Sequence, residues 1–175
     1  MSAQLFEGIN LPDRRPKASP NNRCLEIGKA AEHLVCADLI LSGYRAFLSD
    51  QGLPYDVLLD ASGHIIRVQV KSTLRPKPVP NRPGSGDTYM FNVRRAGKGG
   101  KRIISADDFD LLALVALDIG VIAYTPIKDA VRQLMHFRVP GCSKLHGNKI
   151  HGNIDEYPIA LALKGLTDDR AASFS

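Results

Sequence analysis

The chain is poor in the residues that mark several classes of protein. Its 175 residues include no tryptophan and only three cysteines, Cys24, Cys36 and Cys142, which show no paired spacing. This usage argues against a disulfide framework and favours a reducing compartment. No apolar run reaches transmembrane length, and the first residues lack the apolar segment of a signal peptide. We therefore expect a soluble, cytoplasmic protein without a membrane partner.

Two ligand-binding patterns are incomplete or missing. The basic, glycine-rich stretch around Gly97 lacks the GxxxxGK[ST] pattern, so it does not predict a nucleotide-binding P-loop. Cys142, His146 and His151 have a spacing near that of metal ligands, but a structural zinc site needs four ligands. We therefore predict a polar loop over residues 144–153 rather than a zinc site.

Length and charge set the broad class. With 44% hydrophobic residues, a chain of this length can form one domain with a sizeable core. Its net charge of +5 suits a polyanionic partner without proving one. We divide it into a flexible basic N-terminal arm (1–24), a folded domain (25–165) and a C-terminal tail (166–175).

The predicted arm has an unusual composition. Residues 11–24 hold three prolines and four basic residues, which argues against regular structure. A flexible tail is the simplest interpretation. An arm lying along DNA, or over a neighbouring subunit, remains an alternative.

The most informative segment is a predicted hairpin over residues 55–73. Apolar and β-branched residues dominate both arms, and Ala61-Ser62-Gly63 can form a tight turn between them. Folding about this turn places Asp56 opposite about position 68, within one residue of register. Gln69 and Lys71 share one face of the second strand, so all three side chains can converge. Such a set suits a divalent metal beside a phosphate, whereas an Asp56–Lys71 cross-strand ion pair is the structural alternative.

A second carboxylate, Glu32, lies on a helix predicted over Leu25–Ser42. Gly43 is a suitable residue to end that helix. Glu32 lies off the predicted apolar stripe, which favours either partial burial or a place in a site, with a solvated glutamate as the alternative. The stripe consists of Ile27, Ala30, Leu34, Ala37 and Leu41.

These residues resemble the active-site signature of a nuclease superfamily. Glu32 on a helix, followed by Asp56 and Gln69-Val70-Lys71, is similar to the PD-(D/E)XK signature. The likeness is greatest to the branch that contains a group I intron homing endonuclease, and more distant to archaeal Holliday-junction resolvases. It covers about residues 25–127.

Two positions depart from that signature. Gln69 stands where the last motif has an acidic residue in most branches, which lowers the negative charge available to hold a metal. Tyr55 precedes Asp56, and the proline lies one place earlier, at Pro54. Neither departure removes the chemistry.

The resemblance implies a restriction-endonuclease-like α/β core, with a mixed, mostly antiparallel central sheet flanked by helices. It also implies a Mg²⁺- or Mn²⁺-dependent endonuclease that cuts double-stranded DNA at specific sites, with Glu32, Asp56, Gln69 and Lys71 as the catalytic set. Mg²⁺ commonly takes one or two protein carboxylates together with substrate phosphate. Asp56, the Gln69 oxygen and the Val70 carbonyl would bind the metal. Glu32 would bind a second metal or orient the attacking water, and Lys71 would act at the phosphate.

Two basic segments are the predicted DNA contacts. One is a proline-rich loop over Leu74–Asp87, and the other is the glycine-rich loop that follows residue 93. Solvated loops are the alternative interpretation. The contact residues are Arg75, Lys77, Arg82, Arg94, Arg95, Lys98, Lys101 and Arg102.

Several functional alternatives remain open from the sequence. Cutting both strands of a duplex generally needs two active sites, so we expect a homo-oligomer, either a dimer or a tetramer. A structure-selective junction resolvase is the alternative enzyme. Because of Gln69, an inactive DNA-binding module of the same fold is also an alternative. A basic protein with an incidental hairpin is the last.

The remaining elements are predicted from hydrophobic patterns. Residues 107–126 fit either a buried helix or two strands, and the β-branched second half favours strands that turn at Asp118–Gly120 and end before Pro126. The other predicted elements are a strand over Thr88–Arg94, a short helix over Ile127–Gln133, a strand over Leu134–Val139 and a helix or strand over Ile154–Leu163.

Overall fold

The computed structural model describes residues 20–79, 86–93, 106–130, 134–142 and 151–172. Its elements, in chain order, are α1 (Pro20–Leu41), β1 (Arg45–Leu48), β2 (Val57–Ala61), β3 (His64–Thr73), β4 (Lys77–Pro78), β5 (Asp87–Asn92), β6 (Leu111–Ala116), β7 (Val121–Pro126), β8 (Leu134–Arg138) and α2 (Ile159–Ala172). Short 3-10 helices span Ile127–Asp129 and Ile154–Glu156. Within the described residues, neither long helix combines the length and apolar character needed to cross a membrane.

A five-stranded sheet forms the centre of the fold. Its strand order is β1-β2-β3-β6-β7, in which β3 and β6 are parallel and the other neighbours are antiparallel. The predicted mixed, mostly antiparallel sheet is therefore confirmed. Every residue of β6 is buried, because this strand lies inside the sheet and both of its faces are covered. The ambiguous segment 107–126 is thus the predicted strand pair, although its first strand begins only at Leu111. The second strand does not end before Pro126 as predicted but includes it, and Pro126 pairs with Leu111.

Helix α1 packs on one face of this sheet through a stripe that differs from the predicted one. Ala31, Val35 and Leu39 are completely buried, whereas Ala30 and Leu41 of the predicted stripe are exposed. The helix has apolar residues on more than one side, so its sequence allowed two stripes, and contact with the sheet selected one. Helix α2 contributes to the same hydrophobic cluster.

The end of α1 is set by a glycine. Gly43 has a φ of 91°, a conformation that L side chains rarely adopt. Its N–H donates to Ile40 O at 3.0 Å, and the Tyr44 N–H donates to Leu39 O at 3.1 Å. This pair of bonds is a Schellman motif, so the predicted role of Gly43 is confirmed.

The other face of the sheet is covered by a second, three-stranded antiparallel sheet of order β4-β5-β8. This second sheet was not predicted. Tyr89, Phe91 and Val93 are buried together against the central sheet, as their alternation predicted. The prediction that all of Leu74–Asp87 is a loop is wrong at Lys77–Pro78, which pairs with β5. Proline is tolerated there because β4 is an edge strand.

Both helices extend beyond their predicted limits. Helix α1 begins at Pro20, so residues 20–24 are helical rather than part of an irregular arm. Proline is favoured at a first helical position, where its missing N–H costs nothing. Helix α2 continues to Ala172 through Gly165, a residue that weakens a helix without ending it. The rest of the predicted arm, residues 1–19, lies outside the described residues, as do residues 131–133 of the predicted short helix.

One polar contact joins α1 to the far strand of the sheet. The Tyr124 hydroxyl donates to Asp38 Oδ2 at 2.6 Å. Tyr124 is 2% exposed, and burial, together with Asp38, raises the pKa of its hydroxyl. The contact therefore ties β7 to the helix that carries Glu32.

We expect Tyr124→Phe to lower the free energy of unfolding by about 1–3 kcal/mol, because it removes a hydrogen bond to a charged partner. Urea unfolding of the variant measures the loss. A double-mutant cycle with Asp38→Ala isolates the pair. Fully additive losses would show that the two side chains do not interact.

Candidate active site

The site begins at the β2–β3 hairpin, whose register matches the prediction. Val57 pairs with Val68, and the Asp56 N–H donates to Val68 O at 2.9 Å. Ser62 and Gly63 turn the chain with φ values of 56° and 85°, as the residues of a type I′ turn do. Asp56 is therefore placed beside Gln69 by the ladder itself.

The backbone around Asp56 is held from the other side as well. The Ser49 N–H donates to Asp56 O at 2.9 Å, and the Ser49 hydroxyl donates to Tyr55 O at 2.6 Å. Asp56 thus lies between the strand that follows the turn and the segment that leaves β1. Backbone hydrogen bonds therefore hold Asp56 in place independently of the contacts of its side chain.

The Asp56 carboxylate receives two hydrogen bonds on one oxygen. The Val70 N–H donates to Oδ2 at 2.7 Å, and Gln69 Nε2 donates to the same atom. One bond comes from the backbone and the other from a side chain, so together they fix the plane of the carboxylate. This arrangement leaves Oδ1 as the oxygen that a cation would meet.

Gln69 contacts Asp56 through its amide nitrogen. That nitrogen also lies 3.4 Å from Val70 O, the carbonyl predicted as a metal ligand. The amide therefore fixes the orientation of the carboxylate and leaves its own oxygen for a cation. A third carboxylate at this position would repel Asp56, whereas the amide stabilises its charge.

Glu32 lines an open cavity of about 530 Å³ between α1 and the segment before β2. Asp56, Tyr55 and Ser49 line the same cavity. The Glu32 side chain is 21% exposed and forms an ion pair with Lys29, with Oε2 and Nζ 2.7 Å apart. The structure thus confirms partial burial, and it adds Lys29, which no motif predicted. The i, i+3 spacing of the two residues was the available signal.

Burial is the main influence on Asp56 and raises the pKa of its carboxyl group. The charge of Glu32 raises this pKa further, whereas the Val70 N–H, Lys71 and Lys29 lower it. Burial and the neighbouring Glu32 charge thus disfavour the charged form of Asp56. A cation beside Asp56 would relieve that cost, which marks the cavity as a candidate site.

Lys71 lies two residues beyond Gln69 on β3 and is half-buried. Alternation along the strand puts it on the same face as Gln69. The hairpin and α1 thus bring Glu32, Asp56, Gln69 and Lys71 to one region. Of the predicted DNA contacts, Arg75 and Lys77 are exposed just after β3. The other predicted DNA contacts lie outside the described residues, namely Arg82, Arg94, Arg95, Lys98, Lys101 and Arg102. His146, considered above as a metal ligand, also lies outside them.

Arg67, two residues before Gln69, holds β3 to the segment that enters β6. Its Nε and Nη2 donate to the two oxygens of Asp110 at 3.1 and 3.0 Å. Nη2 also donates to Ala106 O at 3.0 Å, and Nη1 donates to Asp107 O. No local pattern predicts this clamp, because its partners are about 40 residues apart.

The donor set fits a hard divalent cation. In the part of the chain that the structure describes, no group of three or more His, Cys, Asp or Glu side chains gathers as a metal site. The available donors are instead the oxygens of Asp56, Glu32, Gln69 and Val70. Mg²⁺ and Mn²⁺ prefer such oxygens, and Mg²⁺ often completes its coordination with water and substrate phosphate.

Comparison with family models and with curated proteins gives no match. Among solved structures, the chain is similar to a bacterial homing endonuclease, I-Ssp6803I, with a TM-score of 0.56 and 17% sequence identity. The similarity covers 85% of this chain and 95% of that one. It shows that the two proteins share a fold, and it agrees with the predicted α/β core.

Proposed function

We propose that this chain is a Mg²⁺- or Mn²⁺-dependent endonuclease that hydrolyses phosphodiester bonds of double-stranded DNA. The observation that carries this proposal is the half-buried Asp56 carboxylate, held on one oxygen by Gln69 and Val70 in the cavity that it shares with Glu32. The fold shared with a homing endonuclease supports it. The PD-(D/E)XK signature accounts for the same residues.

The proposed roles follow from the chemistry of each side chain. Asp56 Oδ1, the Gln69 oxygen and the Val70 carbonyl would hold the cation. When bound, the cation would neutralise phosphate charge and lower the pKa of a water molecule. Glu32 orients the attacking water, and the Lys71 ammonium stabilises the charge that builds on the phosphate.

DNA is the proposed partner because the chain is basic and has exposed basic residues close in sequence to Lys71. Arg75 and Lys77 are exposed immediately after the strand that carries Lys71. Together with the basic residues predicted in the two loops, they would follow the phosphate backbone and release counterions. We further propose site-specific cutting by a homo-oligomer, since two strands require two sites.

The deciding experiment is cleavage of a plasmid or genomic DNA library by the intact chain. We expect discrete cuts in Mg²⁺ or Mn²⁺ and none in EDTA, and the mapped ends would give the target. A four-way junction in the same assay tests the resolvase alternative. Salt-dependent binding that leaves every substrate intact in both metals would replace the nuclease with a binding module.

A further inference from the structure

Among the described residues of α1, Lys29 is the only positively charged side chain that lines the cavity. It lies one turn before Glu32 on α1, with its Nζ 2.7 Å from Glu32 Oε2. Both side chains line the cavity that Asp56 also lines. The charge of Lys29 acts on Asp56 as well as on Glu32. Lys29 therefore belongs to the electrostatics of the site, although no motif points to it.

Two lysines offset part of the negative charge of the site before any metal enters. Lys29 contacts Glu32, and Lys71 and Lys29 both act on Asp56, whereas two further carboxylates, Glu26 and Asp50, line the same cavity. Gln69 adds no charge, where an acidic residue would have made the site more negative. The positive charge of Lys29 repels a free divalent cation, and Lys29 already contacts the Glu32 oxygen that a cation or its water would use.

We propose that Lys29 is a resident counter-ion that competes with the divalent cation for Glu32, so that tight metal binding depends on DNA. This inference rests on the proposed nuclease function. The Lys29 side chain is 43% exposed, and its flexible stem lets the ammonium leave Glu32 for a phosphate. Lys29 is then a positioning residue that acts through Glu32.

The test measures metal affinity on the intact chain without DNA. Electron paramagnetic resonance of free Mn²⁺ and calorimetry with Mg²⁺ give the two affinities. We expect Lys29→Gln to bind each metal about three- to tenfold more tightly, because a competing cation and its repulsion of the metal are removed. Lys29→Arg keeps the charge and should stay within about twofold of the wild type.

The matched control is Lys164→Gln, on an exposed position of α2 outside the cavity. It changes the net charge of the chain by the same amount and should leave Mn²⁺ affinity unchanged. Addition of a short mixed-sequence duplex should tighten Mn²⁺ binding more in the wild type than in Lys29→Gln. Only the wild type keeps Lys29, the lysine that the phosphate would draw away from Glu32.

The outcomes separate this inference from the proposed function. If Lys29→Gln binds Mn²⁺ no more tightly than the wild type, while Asp56→Asn abolishes binding, the counter-ion role is overturned and the metal site stands. If Asp56→Asn binds Mn²⁺ as tightly as the wild type, the proposed metal site is overturned. If no form binds Mn²⁺ with or without DNA, both proposals fail.

Discussion

Replacing Asp56 with asparagine is expected to lower DNA cleavage by about 10³-fold or more, because the proposed cation loses its only charged ligand on the hairpin. Asparagine keeps the size of the side chain and an oxygen that can accept the Val70 N–H. The hairpin register should therefore survive. Cleavage rates in Mg²⁺ and Mn²⁺, together with Mn²⁺ affinity, measure the effect.

The same substitution should not destabilise the fold near neutral pH. Burial and Glu32 raise the pKa of Asp56, so the folded chain holds this proton to higher pH than the unfolded chain does. Its contribution to stability is greatest below the unfolded pKa and is lost as pH rises through the raised folded pKa. Asparagine does not ionise, so the Asp56→Asn variant avoids the stability that the wild type loses as pH rises. Urea unfolding at several pH values should therefore show the variant to be at least as stable as the wild type at neutral pH.

Asp129→Asn is the matched control for Asp56→Asn, since Asp129 is exposed on the 3-10 helix after β7. It makes the same chemical change away from the site and should cut DNA normally. Wild-type cleavage by the Asp56 variant would remove Asp56 from the mechanism. A large fall in its stability at neutral pH would instead make Asp56 a structural residue.

Replacing Lys71 with glutamine is expected to lower cleavage by about 10²–10³-fold while leaving metal binding intact. The ammonium is proposed to act at the phosphate, not at the metal. Lys71 also lowers the pKa of Asp56, so its removal raises that pKa. The acid limb of the pH–rate profile should therefore move to higher pH in the variant.

Two comparisons define the Lys71 result. Lys164→Gln removes the same charge far along the chain and should retain the wild-type rate and pH profile. Lys71→Arg keeps a positive charge and should recover part of the rate. Joint loss of Mn²⁺ affinity and cleavage in Lys71→Gln would contradict a role confined to the phosphate.

The hairpin was predictable because residues close together in the sequence determine its turn and its register. Asp56 and Gln69 are joined by a short turn whose residues favour positive φ, and a one-residue slip would turn every side chain to the wrong face. The C-terminal end of α1 was equally local, since Gly43 alone permits its Schellman motif. These features needed no knowledge of the rest of the chain.

The predictions that the structure contradicts concern segments whose local sequence pattern allowed more than one packing. Helix α1 offered two apolar stripes, and only the sheet determined that Val35 and Leu39 face inward. The pairing of Lys77–Pro78 with β5 depends on an edge position that proline content does not reveal. The second sheet also depends on β8, which lies about 40 residues beyond the end of β5.

By itself, the sequence determined the α/β class, the hairpin and the set of Glu32, Asp56, Gln69 and Lys71 as candidates. Side-chain alternation and turn conformation depend on only a few neighbouring residues, so the local sequence is enough to specify them. Only the tertiary structure decided that Asp56 is bonded on one oxygen, that Lys29 balances Glu32 and that Arg67 clamps Asp110. These contacts arise from packing α1 and the parallel β3–β6 pair against the hairpin, and burial and charge at each atom depend on that packing.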